Sequence, residues 1–146
     1  MNILIDTNII LEIILQREQY NDAYHLLTAL HEGNHHILMT SGGFYGMLFT
    51  VDKYFRKVLG MTDPLRTNSV RSVMTQVLSI VDVAGQDKQT LLAGVQDMNF
   101  DDLEDSCQHQ SALKEGCDYL LTFNVKDYIG ASIPVLTPQQ FMSRIG

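Results

Sequence analysis

Two groups of acidic side chains in this sequence have the types and spacing that suit a divalent cation. Asp6 ends a short apolar run, and four acids lie within residues 101–105. Asp102 and Asp105 are three residues apart, so one face of a helix presents both carboxylates. A bound cation would relieve their mutual repulsion, and oxygen ligands suit Mg²⁺ or Mn²⁺. The simpler interpretation stays open, because acids at a helix N-terminus also complement the helix dipole.

A third polar group follows the apolar residues 120–121. It consists of Thr122, Asn124 and Asp127, which on their own indicate only a loop. The carboxyl ends of parallel strands meet at one edge of a sheet, where loops present polar groups to ligands. The three groups are therefore expected to converge at one edge. For Asp6, capping of a helix that begins at Thr7 is an equally good explanation.

The elements that must position these residues alternate along the chain. Strands are predicted at residues 2–5, 35–39, 78–83, 119–122 and 133–136, and helices over about 7–16, 19–32, 41–59, 64–76, 87–96, 102–115 and from 137 onward. Strands separated by helices imply an α/β fold around a mostly parallel sheet. The chain has no internal repeat, low-complexity tract or linker, so residues 1–146 are expected to form a single domain.

Two segments resemble the opening and closing motifs of the PIN domain family. The segment 4–11, Leu-Ile-Asp-Thr-Asn-Ile-Ile-Leu, resembles the opening motif. Asp102-Leu-Glu-Asp105, followed by residues 117–128, is similar to the closing motif, and the tail 133–138 and Phe141 also match. The resemblance spans nearly the whole chain in the right order. It implies a three-layer sandwich with a central parallel sheet, and clustered acids that hold Mg²⁺ or Mn²⁺ for RNA hydrolysis.

The resemblance also assigns roles to individual residues. Asp6 matches the first acid of the family and Asp105 the third, Asp102 is an adjoining acid, and Asn124 falls on the fourth position with Asp127 three residues further on. Asp6, Asp102 and Asp105 are then the expected metal ligands, and Asp127 joins them as a catalytic candidate. Supporting roles are expected for Thr7, Asn8, Ser41, Thr122 and Asn124.

The second acidic position of the family is where this sequence departs. Relatives usually carry Glu in the helix after the Ser that follows the second strand, and aligning Thr40-Ser41 with that start places Gly46 there. No Asp or Glu lies between Gly33 and Val51. A one-metal site or a remnant of one is thus expected rather than a two-metal site. Two functions follow: a metal-dependent endoribonuclease, or a degenerate PIN domain that binds RNA or a protein partner without cleaving.

The charge of the chain is unevenly distributed. Its net charge of −7, from 10 basic and 17 acidic residues, argues against a simple nucleic-acid binder. Half of the basic residues, however, fall within positions 53–71 beside a single acid, Asp63: Lys53, Arg56, Lys57, Arg66 and Arg71. This segment is a candidate path for an RNA backbone. The alternative is an ordinary solvated face of two helices.

Location and partners follow from composition and from the resemblance. The sequence has no signal-peptide pattern, no apolar run near the ~20 residues of a membrane span, and only two cysteines, so a reducing, cytoplasmic setting is expected. Many small bacterial PIN proteins are the toxin halves of VapBC-type toxin–antitoxin pairs, which implies an antitoxin partner. Apolar helix faces near residues 20–30 and 44–59 suggest a homodimer.

Overall fold

The computed structural model describes residues 1–145 and is built on a five-stranded parallel sheet. The strands are β1 (Asn2–Ile5), β2 (His36–Thr40), β3 (Asp82–Ala84), β4 (Tyr119–Leu121) and β5 (Val135–Leu136). Their spatial order is β3-β2-β1-β4-β5, and every neighbouring pair is parallel. The predicted α/β class with a parallel sheet is confirmed, and β1, which carries Asp6 at its end, lies at the centre.

Helices connect the strands and cover both faces of the sheet. They are α1 (Thr7–Ile14), α2 (Tyr20–Glu32), α3 (Ser41–Lys57), α4 (Leu65–Ile80), α5 (Lys88–Gln96), α6 (Leu103–Lys114) and α7 (Pro138–Ile145), with a 3₁₀ turn at Val125–Tyr128. Among residues 1–145, none of the helices is both long and apolar enough to cross a lipid bilayer.

The two faces of the sheet pack against separate apolar cores. Ile3 and Ile5 of β1 face a core formed with residues of α1, α2, α3, α4 and α7. Leu4 points to the opposite face, into a smaller core that contains Phe100 and Ala112. Successive side chains of a strand alternate between the faces, so an uninterrupted apolar strand such as β1 must be covered on both. This arrangement confirms the predicted three-layer sandwich.

The prediction of a strand at residues 78–83 is wrong in its bounds. Helix α4 continues to Ile80, and β3 begins only at Asp82. Val70, Met74 and Val77 form the buried stripe of α4, and Leu78 and Ile80 extend the same helix with their side chains exposed. A short apolar run fits the end of a helix as well as a strand, and the packing of α4 decides between them.

Candidate functional site

A cavity of about 510 Å³ opens at the carboxyl edge of the sheet. Its wall includes residues that end or closely follow the first four strands: Asp6 after β1, Thr40 of β2, Gln86 after β3 and Asn124 after β4. The acidic side chains that line it are Asp6, Asp102, Glu104, Asp105 and Asp127. The three polar groups identified in the sequence therefore do meet at one edge of the sheet.

Asp6 is both a helix cap and part of the cavity wall. Its Oδ1 accepts a hydrogen bond from the backbone N–H of Asn8 at 3.2 Å, which caps α1. Its Oδ2 accepts one from the Thr122 hydroxyl at 2.9 Å. Burial raises the pKa of Asp6 above its ordinary value although these hydrogen bonds oppose the shift, and the Asp102 carboxylate adds to the rise. Capping and site formation are thus combined in one residue.

Asp102 and Asp105 begin helix α6 at the same cavity. Asp102 is the N-cap, and its Oδ1 accepts a hydrogen bond from the backbone N–H of Asp105 at 3.0 Å. The pKa of Asp105 is raised to about 6, mainly by burial and then by the carboxylates of Asp102, Asp6 and Asp127, against a lowering hydrogen bond from Tyr128. Mutual repulsion of this kind is what a bound cation would compensate.

Sequence reasoning missed two uncharged residues at this site, Gln108 and Tyr128. The Tyr128 hydroxyl donates to Asp105 Oδ1 at 3.0 Å, and Gln108 Nε2 donates to the Tyr128 oxygen at 3.0 Å. Burial raises the pKa of Tyr128, so its hydroxyl keeps its proton. One signal was available, since Gln108 lies three residues after Asp105 on the same helix face.

Not all of the residues expected in supporting roles line the cavity. Thr7, Asn8 and Asn124 line the cavity. Thr122 is fully buried and acts through its hydroxyl, which donates to Asp6 and accepts from the Asn124 N–H at 3.0 Å. Ser41 is not part of the described cavity wall. Its neighbour Thr40 is, and the Thr40 hydroxyl caps α3 by accepting the Gly43 N–H at 3.0 Å.

Gly46 leaves open space on the helix face that leads to the cavity. It lies three and four residues after Gly43 and Gly42, which line the cavity, so the three share a face of α3. A Cβ built on Gly46 meets no atom within 4 Å. The local backbone therefore has room for a larger side chain, and this position provides neither charge nor a ligand.

The donor set fits a hard divalent cation, although it is not closed around one. Asp6, Asp102 and Asp105 offer only oxygen atoms, which Mg²⁺ and Mn²⁺ prefer. Within residues 1–145, no three His, Cys, Asp or Glu side chains stand together as a ready-made metal site. Asp6 and Asp105 instead accept hydrogen bonds from Thr122 and Tyr128. A cation would have to draw the carboxylates closer together.

The basic residues of positions 53–71 lie outside the cavity wall that the structure describes. Lys53, Arg56, Lys57 and Arg71 are exposed. Arg66 is occupied, because Nη1 pairs with Asp52 at 2.5 Å and Nη2 with Asp63 at 3.1 Å. Four of the five predicted cations are thus exposed to solvent, and the fifth joins α3 to the start of α4.

Comparison with known proteins assigns the family. The family model for the PIN domain matches residues 2–126 of the 146-residue chain. The chain belongs to the PIN domain family. The VapC-like resemblance expected from the sequence is confirmed by Ribonuclease VapC1 of Aquifex aeolicus (strain VF5), which is 46% identical over 48 residues. That match covers 33% of this chain and 33% of the relative, so the two are similar over about a third of each.

Solved structures share the PIN fold over almost the whole chain. VapBC2 from Rickettsia felis, bound to a DNA fragment from its promoter, superposes with a TM-score of 0.68 at 16% identity, covering 94% of this chain and 98% of that one. A toxin–antitoxin complex from Klebsiella pneumoniae superposes with a TM-score of 0.64 at 19% identity, covering 92% and 96%. At these identities the likeness shows the fold alone.

Proposed function

We propose that this PIN domain is a divalent-metal-dependent endoribonuclease of the toxin–antitoxin type, which hydrolyses phosphodiester bonds in RNA. The observation that carries the proposal is the convergence of Asp6, Asp102, Asp105 and Asp127 on one cavity, with burial and mutual repulsion raising the pKa of Asp105 to about 6. A cluster of this kind is costly unless a cation is bound, and clustered acids with perturbed pKa values mark functional sites. The activity in the name of the Aquifex relative supports the same reaction.

In the proposed mechanism Asp6 and Asp105, assisted by Asp102, would hold Mg²⁺ or Mn²⁺. The bound ion would lower the pKa of a water molecule and stabilise negative charge on the phosphate. Thr122 and the Asn8 N–H orient the Asp6 carboxylate through their hydrogen bonds. Thr7 and Asn124 line the cavity, and their hydroxyl and amide groups are of the kind that can donate to a phosphate oxygen.

Cleavage of an RNA pool in Mn²⁺ tests the proposal. We expect metal-dependent cleavage by the wild type and its loss in Asp6→Asn, since Asn keeps the helix cap but removes the charge. Asp101→Asn is the matched control, because Asp101 is an exposed acid beside the cluster that lies outside the cavity wall. A purified wild-type protein that cleaves no RNA in any divalent metal would contradict the proposal.

A second function, binding of RNA without cleavage, is favoured by Gly46 alone. The family acid is missing at this position, and the open space around the Gly46 backbone can accept a longer side chain. Gly46→Glu separates the two functions. Cleavage by the wild type supports the ribonuclease, whereas cleavage that appears only in Gly46→Glu means that the native protein is a binding domain.

An antitoxin protein is the proposed partner, together with a second copy of the chain. Support for the first comes from the Klebsiella neighbour, which is a toxin–antitoxin complex. Support for the second comes from exposed aromatic side chains on α2 and α3: Tyr24, Tyr45 and Phe49. Co-purification with the product of the adjacent gene tests the first partner. Light scattering of the isolated chain tests the second, and a monomeric mass would contradict it.

A further inference from the structure

Two linked hydrogen bonds lead from Gln108 through Tyr128 to Asp105, one of the proposed metal ligands. Gln108 Nε2 donates to the Tyr128 oxygen at 3.0 Å, and the Tyr128 hydroxyl donates to Asp105 Oδ1 at 3.0 Å. A phenol has a single proton. Because Gln108 already donates to the phenol oxygen, that proton is directed to Asp105. We propose that Tyr128, oriented by Gln108, is a positioning residue that holds the Asp105 carboxylate for a divalent cation, an inference that rests on the proposed function.

The surroundings of Tyr128 hold its hydroxyl in place. Its side chain is 3% exposed and belongs to the smaller core, where its ring meets the edge of Phe100 with the centroids 6.1 Å apart. Gln108 is 7% exposed and lies one turn after Asp105 on α6. The Gln108–Tyr128 hydrogen bond is therefore shielded from water, and the Tyr128–Asp105 bond is partly shielded. Hydrogen bonds in such low-dielectric surroundings are stronger than those at a surface.

The two oxygens of the Asp105 carboxylate differ in their hydrogen bonds. Oδ1 accepts from Tyr128, and among residues 1–145 no hydrogen bond to Oδ2 is found. A carboxylate held by one oxygen keeps the other free for a cation. Groups that hydrogen-bond a ligand in this way orient it, and their loss weakens metal binding.

A purely structural role does not explain these two side chains. Phe at position 128 would fill the core as well as Tyr and would bury no hydroxyl. The amide of Gln108 carries a further cost, because its Oε1 is buried with no hydrogen-bond partner among residues 1–145. An apolar residue at position 108 would avoid that cost. The polar pair instead lies beside carboxylates of the site, since Tyr128 donates to Asp105 and the Gln108 side chain also hydrogen-bonds to Asp6.

Mn²⁺ binding by four proteins tests the inference, with electron paramagnetic resonance measuring free Mn²⁺. The proteins are the wild type, Tyr128→Phe, Gln108→Leu and Tyr119→Phe. Tyr128→Phe removes only the hydroxyl, and we expect its Kd for Mn²⁺ to rise about tenfold or more. Gln108→Leu should also raise the Kd, because the phenol loses the group that directs its proton and Asp6 loses a side-chain hydrogen bond. Tyr119→Phe, at a tyrosine of β4 outside the cavity wall, should leave the Kd unchanged.

A second readout separates positioning from general damage. The Mn²⁺ concentration for half-maximal cleavage should rise in Tyr128→Phe while the maximal rate is retained, since excess metal refills the weakened site. If Tyr128→Phe fails to fold, Gln108→Leu decides by the same measurements.

The outcomes distinguish this inference from the proposed function. Wild-type protein that binds no Mn²⁺ overturns both. Wild-type protein that binds Mn²⁺, with equal or tighter binding by Tyr128→Phe, overturns only the positioning role. Weaker binding by Tyr128→Phe, with Tyr119→Phe unchanged, supports it.

Discussion

At the scale of single residues, the gathering of carboxylates at one cavity destabilises the ionised form of Asp105. Its pKa rises from 3.8 to about 6, with burial as the largest cause and three neighbouring carboxylates acting in the same direction. An acid whose pKa is raised by folding is most stabilising while protonated. Its contribution is fully present below the pKa of the unfolded chain and is lost as the pH rises through the folded value. The metal-free protein therefore loses stability between about pH 4 and pH 6 on account of Asp105.

Replacing this one carboxyl tests that cost. At pH 7 and without metal, we expect Asp105→Asn to be more stable than the wild type by about 1 kcal/mol, after discounting the shift for a half-buried group. At pH 4 the difference should vanish, because the wild-type carboxyl is then protonated in the native state. Urea unfolding at the two pH values measures both numbers, and Asp101→Asn controls for the loss of an acid as such. An equal change at both pH values would contradict the assignment.

The sequence predicts charged residues of the cavity better than uncharged ones. Asp6, Asp102, Asp105 and Asp127 were identified because carboxylates that follow strands or share a helix face are visible as spacing. The role of Tyr128 was not predictable in this way, because a buried tyrosine looks the same in a sequence whether its hydroxyl meets a carboxylate or another polar group.

At the scale of elements, the position of α6 depends on its close contact with α5. A Cβ built on Gly94 of α5 would lie 2.6 Å from Cys107 Sγ and 2.8 Å from Cys107 Cα. The Ser106 hydroxyl also donates to the Gly94 carbonyl at 2.7 Å. Helix α6 carries Asp105 and Gln108, so this small-residue contact sets how near those side chains lie to the strand ends.

A pair of glycine substitutions tests this contact. Gly94→Ala should destabilise the protein by about 1–3 kcal/mol, because overpacking outweighs the gain of about 1 kcal/mol in helix propensity. Gly46→Ala is the matched control in α3, where a Cβ meets nothing within 4 Å. It should stabilise the protein by about 0.5–1 kcal/mol. Urea unfolding of both variants measures the difference, and stabilisation by Gly94→Ala would contradict the proposed packing.

Element types were more predictable than the contacts between elements. The alternation of strands and helices follows from apolar periodicity, which fails only where an apolar run fits two structures, as at the α4–β3 boundary. The place of Gln86 in the cavity wall was not predictable. Its Oε1 accepts the Gly42 N–H at 2.9 Å, a contact between residues 44 positions apart that depends on the pairing of β2 with β3.

At the scale of the whole molecule, opposite charges are separated. The net charge of −7 includes the acids that line the cavity, whereas the exposed cations of positions 53–71 lie on and around α3 and α4, outside the cavity wall. A cation in the cavity would neutralise part of the first group. The second group would remain available to phosphates, so an acidic total is compatible with an RNA substrate. The structure also divides the predicted cations, because Arg66 is paired and the others are exposed.

This division predicts how RNA binding responds to salt. In the Asp6→Asn background, which is expected to bind without cleaving, replacing Lys53, Arg56 and Arg71 together by Gln should weaken RNA binding. It should also reduce the slope of log K against log salt by about 0.7 for each single-strand phosphate that the protein no longer neutralises. Arg66→Gln is the control, since this change breaks pairs with Asp52 and Asp63 and should lower stability while leaving the slope unchanged. Fluorescence anisotropy over a salt series measures the slopes. If the triple variant keeps the slope of its parent, the exposed cations form a solvated helix face and RNA reaches the cavity by another route.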